Sequence, residues 1–164
     1  MIRGMEGIVV ELLEIDSKPY GKVKVPQDEM ITFQDGILGF ENLTKYYLLD
    51  RDEGPFYWLQ SAEMTDVAFV IINPMYFKAD YGIELAETDF IDIDLTRAED
   101  IEEKLLHYVI VTIPPEDPNT MTANLLGPII INKEKRIGKQ ALSLNSQYTV
   151  RHNIIDELEI SGGK

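Results

Sequence analysis

The chain has 164 residues, 45% of them apolar and 27% charged, a composition typical of a soluble globular domain. Its 29 acidic and 15 basic residues give a formal net charge of −14, which disfavours nucleic-acid binding because that affinity comes largely from lysine and arginine contacts with phosphate. The lack of cysteine excludes disulfides and thiolate metal sites. No apolar run reaches the ~18 residues of a membrane span, and no signal-peptide segment is visible, so we expect a cytoplasmic protein that does not contact membranes.

The first half of the chain predicts short strands separated by turn residues. An apolar segment at 7–15 fits either a strand or a short helix, and we treat residues 1–19 as an N-terminal extension or extra strand. Further strands are predicted at 20–25, 30–33, 46–50, 56–60 and 67–72. The last of these is apolar on both faces, which predicts a central position in the sheet.

The strand predicted at 56–60 carries four large apolar side chains in a row. Phe56 and Trp58 would point to one face, and Tyr57 and Leu59 to the other. One face must meet the core. The other either packs beneath another segment, which we favour, or remains an exposed strip that marks a partner site.

Residues 84–103 form an acidic segment. Nine carboxylates against the single Arg97 account for eight of the fourteen excess negative charges. The alternation of Ile91, Ile93 and Leu95 with aspartates predicts a strand with one carboxylate face. The Thr96-Arg-Ala-Glu99 sequence matches a capping box and predicts one short helix over 97–105.

The central hairpin is predicted from residues 120–144. Three consecutive isoleucines at 129–131 indicate a strand buried on both faces, preceded by a bend at Gly127-Pro128. Residues 137–144 return as its partner strand, and 156–164 read as a flexible tail. The prediction is a mainly β, compact single-domain antiparallel β-barrel or sandwich over 20–155, with one short helix near 97–105.

The sequence gives little support for catalysis or metal binding. Asp89, Asp92 and Asp94 are the best candidate for a metal-dependent enzyme, but they lack the register of a calcium loop and read better as solvated charges. His107 and His152 lie outside any catalytic motif. We therefore expect no catalytic residue, metal or cofactor. A carboxylate-based enzyme and a nucleic-acid-binding barrel remain the alternatives to a protein-interaction module.

Several stretches, taken in order, resemble the bacterial flagellar assembly factor FliW family. They are 33–40 (FQDGILGF), 59–61 (LQS), 69–74 (FVIINP), 122–132 (TANLLGPIIIN), 139–140 (KQ) and 148–151 (YTVR). The ordered set carries the resemblance, since no single motif is specific. It implies a small β-barrel without known catalysis that binds flagellin and the translational repressor CsrA. Flagellin and CsrA would exchange on it, so that export of flagellin frees the protein to capture CsrA and relieve repression of flagellin translation.

The resemblance also suggests which residues meet the partners. A basic, RNA-binding partner would be steered by an acidic surface, and an amphipathic flagellin segment needs an apolar groove. The groove candidates are Ile37, Leu38 and Phe40 with Tyr57 or Trp58, and the steering candidates are Asp89, Asp92, Asp94, Glu99 and Glu103. Gly36, Gly39 and Pro128 are expected to serve the fold.

Overall fold

The computed structural model describes residues 10–50 and 54–162, so the first residues of the predicted 7–15 segment lie outside the described part. The strands are β1 (Leu12–Ser17), β2 (Gly21–Pro26), β3 (Ile31–Phe33), β4 (Lys45–Asp50), β5 (Phe56–Ser61), β6 (Ala68–Ile72), β7 (Leu105–Thr112), β8 (Thr122–Ala123), β9 (Ile129–Asn132), β10 (Ile137–Gln140) and β11 (His152–Asn153). The α-helices are α1 (Glu87–Asp92), α2 (Ala98–Lys104) and α3 (Ile154–Gly162).

Seven of these strands close into a barrel. Strands β3 to β7 form an antiparallel meander, and β9 pairs antiparallel with β7 so that Leu105 lies opposite Asn132. Strand β10 pairs antiparallel with β9 and parallel with β3, which completes the circle. The predicted mainly β, antiparallel barrel is confirmed, with the β3–β10 pair as its parallel exception.

Strand β9 is buried on both faces, as the isoleucine run predicts. Ile129 and Ile131 lie in the barrel interior with Phe33 and Leu59, whereas Ile130 points outward into a second apolar cluster beneath α1 and α2. Because successive strand residues alternate between faces, a strand covered on both sides must be apolar throughout. The predicted bend at Gly127-Pro128 separates β9 from β8.

The helices differ from the sequence-based expectation. Residues 87–92 form α1, which overlaps the start of the strand predicted over 91–95, and the Phe90 carbonyl accepts from the amides of both Ile93 and Leu95. Ile93 and Leu95 are buried in consecutive turns after the helix, which produces the strand-like spacing without a strand. The strand prediction over 91–95 was therefore wrong.

The ends of the other two helices also correct the prediction. Helix α2 confirms the helix near 97–105, but its N-cap is Arg97 and no side chain caps it, so the capping-box interpretation of Thr96 was wrong. Helix α3 occupies most of the predicted flexible tail, and Glu157 fixes it through His152 and Lys78. Within the described residues, every helix is too short or too polar to cross a bilayer.

The β1–β2 hairpin covers one outer face of the barrel. Trp58 packs there with Tyr47 and Leu49 beneath Val25 of the hairpin. This contact settles the two alternatives for the aromatic strand, because the Trp58 face is covered rather than left as an exposed strip.

Two glycines allow a test of the tight turn before β4. Gly36 has a φ of +68°, and a Cβ there would lie 2.6 Å from the Phe40 carbonyl oxygen; Gly21 has a φ of +69° but nothing within 4 Å. Gly21→Ala should cost only the left-handed backbone penalty of about 1–2 kcal/mol. Gly36→Ala should cost about 1–3 kcal/mol more, because the turn must also move. Urea unfolding of both variants measures the difference, and equal losses would contradict the steric account.

Candidate functional site

An apolar groove crosses the surface where the turn after β3, the β8–β9 connection and the segment after β10 meet. Its volume is about 540 Å³. Its lining includes four strongly exposed aliphatic side chains: Leu38 (82% exposed), Leu142 (64%), Leu144 (65%) and Val150 (54%). Contiguous exposed apolar surface of this kind marks interaction sites in proteins.

Backbone hydrogen bonds to the β8–β9 connection set the direction in which Leu142 and Leu144 point. The amides of Ala141 and Ser143 donate to the carbonyls of Pro128 and Leu126, each at 2.8 Å. The segment is therefore extended, and its alternate residues face opposite sides. Ala141 and Ser143 are buried, which leaves Leu142 and Leu144 on the solvent side.

Gln140 holds the floor of the groove. Its Oε1 accepts from the Leu38 amide at 3.0 Å, and its Nε2 donates to the Gly127 carbonyl at 3.1 Å. On the other side, the Gly127 amide donates to Asn124 Oδ1 at 2.8 Å. A side chain on Gly127 would press against both amide groups, 3.0 Å from Gln140 and 3.1 Å from Asn124. The three segments of the groove are thus tied together by side-chain hydrogen bonds.

A charged cluster lies at the groove rim. Lys139 donates to Asp89 at 2.8 Å and to Asp92 at 2.7 Å. Partial burial opposes the charge on Lys139, but the hydrogen bonds and attraction of the two carboxylates outweigh it and raise its pKa. A lysine ammonium therefore occupies the place that a cation would take between these carboxylates. Within residues 10–50 and 54–162, no three His, Asp or Glu side chains are placed to hold a metal ion.

The remaining acidic candidates are spread over the surface next to this rim. Asp94 follows α1, does not share a strand face with Asp92, and pairs with Lys135. Glu99 lies in the first turn of α2 and pairs with Arg97 at 3.0 Å. Glu103 is exposed on the same helix. The structure thus places the five carboxylates along α1, α2 and the turn between them.

The predicted groove residues are not all brought together. Leu38 lines the groove. Phe40 is partly exposed and packs edge-to-face on Phe69, with 5.2 Å between the ring centroids. Ile37 is buried in the barrel interior, and Tyr57 packs against that interior. Trp58 lies under the β1–β2 hairpin. Of the predicted set, Leu38 alone lines this groove.

Comparison with known proteins agrees with the fold. The family model described as FliW protein matches residues 14–154, which is most of the chain. The chain belongs to the FliW family. The match begins inside β1, upstream of the first stretch that resembles the family in the sequence, at 33–40.

Individual FliW relatives are similar over nearly their whole length. The flagellar assembly factor FliW of Leptospira interrogans serovar Lai is 43% identical over 152 residues, which covers 92% of this chain and 99% of the relative. The protein of the same name from Thermoanaerobacter pseudethanolicus is 42% identical, with 90% and 96% covered. A crystal structure of the flagellar assembly factor FliW superimposes with a TM-score of 0.77 at 31% identity, covering 86% of this chain and 96% of that one.

The stretches that resemble the FliW family converge on the groove. Leu38 comes from the 33–40 stretch, Asn124 and Gly127 from 122–132, Gln140 from 139–140, and Val150 from 148–151. Sequence analysis missed Leu142 and Leu144, because it interpreted residues 137–144 only as the partner strand of the central hairpin. The order of these stretches was the signal, and only the fold shows that they meet.

The two histidines of this FliW family member lie outside the groove and contact neighbouring residues. His107 lies in β7 with its ring stacked on Tyr81 at 6.2 Å, and burial lowers its pKa. His152 accepts from the Thr149 amide through Nε2, and its Nδ1 lies 2.8 Å from Glu157. Neither ring lines the groove.

The lowered pKa of His107 predicts a pH dependence of stability. Below about pH 6.5 the unfolded state binds a proton at this histidine more readily than the folded state does. The free energy of unfolding therefore decreases as the pH is lowered. His107→Leu removes this contribution. The stability difference, wild type minus variant, should decrease between about pH 7.5 and about pH 5.5 in urea titrations. Parallel curves would show that His107 titrates equally in both states.

Proposed function

We propose that this chain is a non-enzymatic flagellar assembly factor that binds flagellin through the apolar groove. The single observation behind this proposal is the outward row of Leu142 and Leu144 beside Leu38 and Val150. Exposed leucines are unfavourable in water, and here backbone pairing holds them in place rather than letting them collapse. A fixed apolar groove suits an amphipathic helix, which would place its apolar side chains at i, i+3, i+4 and i+7 against it.

Flagellin is the partner that fits both the apolar groove and the family to which the chain belongs. The relatives are named flagellar assembly factors. The resemblance to their family implies flagellin as a partner, and its amphipathic terminal segments need cover before assembly. The lysine between Asp89 and Asp92 argues for a structural use of those carboxylates, in support of a binding role rather than catalysis.

We further propose that CsrA is the second partner and that the two exchange. When flagellin is exported, the freed protein would capture CsrA in the cytoplasm and relieve repression of flagellin translation, without itself contacting RNA or membrane. The supporting feature is the acidic surface along α1 and α2, where Glu99 and Glu103 are exposed. Such a surface complements the basic surface of an RNA-binding protein and raises the association rate.

The groove proposal predicts a specific loss of flagellin binding. Leu142→Ser combined with Leu144→Ser should weaken flagellin affinity by roughly 10- to 100-fold, because two apolar contacts are removed. Met64→Ser combined with Met75→Ser is the matched control, since both methionines are about half exposed and neither lines the groove.

Isothermal titration calorimetry gives the two affinities, and circular dichroism checks that all variants are folded. Because Leu142 and Leu144 are solvent-exposed, the double variant should keep its unfolding midpoint. Unchanged flagellin affinity in a folded Leu142/Leu144 variant would place the flagellin site elsewhere.

The acidic surface makes a separate prediction for CsrA. Glu99→Lys with Glu103→Lys should slow association about three- to tenfold at low salt and flatten its salt dependence. Glu11→Lys with Glu14→Lys changes the net charge equally on exposed residues at the β1 side. Stopped-flow association rates distinguish the two. Equal slowing by both variants would mean that net charge acts, and no local steering surface exists.

A further inference from the structure

A second cleft, with a more polar lining, adjoins the apolar groove. The two share Asn124 and Val150 as a common wall, and the cleft has a volume of about 420 Å³. Its lining mixes polar and apolar residues, whereas that of the groove is mainly apolar. The lining residues are Ile110, Thr112, Pro114, Thr120, Thr122, Asn124, Val150 and Arg151. An occupant of the groove that extends past Val150 therefore enters a site of different chemistry.

The charge in this cleft is unusual for so acidic a chain. None of the described residues that line it is acidic, although the chain has 29 acidic residues against 15 basic ones. Arg151 is exposed, and its guanidinium pairs with no carboxylate in the part of the chain that the structure describes. By contrast, Lys139 at the groove rim is neutralised by Asp89 and Asp92. Among the described residues, the combined surface thus offers one cation without a counterion, Arg151 at the cleft.

The backbone that carries Arg151 is held firmly. The Thr149 carbonyl accepts from the amides of both Leu125 and Leu126 at 3.1 Å, and the Thr149 amide donates to His152. The Arg151 amide donates to the Thr149 hydroxyl at 3.3 Å. The backbone that carries Arg151 is therefore fixed next to the cleft. An arginine on such a base, in a cleft also lined by three threonines, is suited to bind a carboxylate.

Resting on the flagellin proposal above, we propose that the cleft binds the C-terminal carboxylate of the flagellin helix whose apolar face fills the groove. A free chain end is a compact anion, and the C-terminal end of a helix adds partial negative charge in the same place. Both favour the end of the groove where Arg151 lies. The opposite orientation would bring the positive N-terminal end of the helix to the arginine.

The test measures how tightly each of two peptides binds to the wild type and to a variant. Two synthetic peptides carry the last ~20 residues of the cognate flagellin, about 30 Å as a helix, and differ only in a free or an amidated C-terminus. Each is titrated by calorimetry into the full wild-type chain and into Arg151→Gln. Full-length flagellin is titrated in parallel. Lys133→Gln, which removes an exposed cation that lines neither the groove nor the cleft, is the control variant.

The wild type should bind the free-acid peptide about three- to tenfold more tightly than the amide, as expected for an exposed charge-assisted contact. Arg151→Gln should remove this preference, and Lys133→Gln should keep it. Equal binding of both peptides, a preference that survives in Arg151→Gln, or binding of full-length flagellin without either peptide would each overturn carboxylate capture while leaving the flagellin proposal standing. If full-length flagellin also fails to bind, both proposals fall.

Discussion

The pairing of β9 with β7 is the interaction on which the rest of the structure depends. It closes the barrel, and it is possible only because Ile129, Ile130 and Ile131 satisfy two apolar environments at once. The inner pair fills the interior, and Ile130 supports α1 and α2. Asn132 ends the strand by donating to the Ile93 carbonyl at 2.9 Å, which anchors the turn after α1. The same strand thus closes the barrel and supports the acidic helices.

The same closure creates the groove. Once β10 pairs with β9, the chain beyond Gln140 continues alongside the β8–β9 connection, and its amides are satisfied by the carbonyls of that connection. The direction of each side chain is then set by the strand period, so the small Ala141 and Ser143 face inward. Leu142 and Leu144 face water because the inner positions are taken. Exposure of these leucines is a consequence of the backbone geometry of the barrel, which supports a role for them outside the fold itself.

The sequence predicted strands correctly where consecutive side chains were apolar, as in β5, β6 and β9. It failed over 91–95 because two buried turn residues mimic a strand period, and at Thr96 because a capping pattern does not require that the cap forms. It failed at the C-terminus because Glu157 of α3 pairs with Lys78, a contact between residues far apart in the sequence that no local pattern shows. The groove was out of reach for a different reason. Its residues come from five separate stretches, and only barrel closure brings Leu38 and Gln140 together.

A methyl NMR titration with flagellin tests the central claim most directly, since it reports on every leucine and valine of the folded chain at once. The account predicts that the methyl signals of Leu38, Leu142, Leu144 and Val150 shift on binding. Those of Leu12 and Leu158, which are partly exposed and line neither the groove nor the cleft, should stay unchanged. Shifts confined to Leu12, Leu158 or other sites, with the groove methyls unperturbed by bound flagellin, would contradict it.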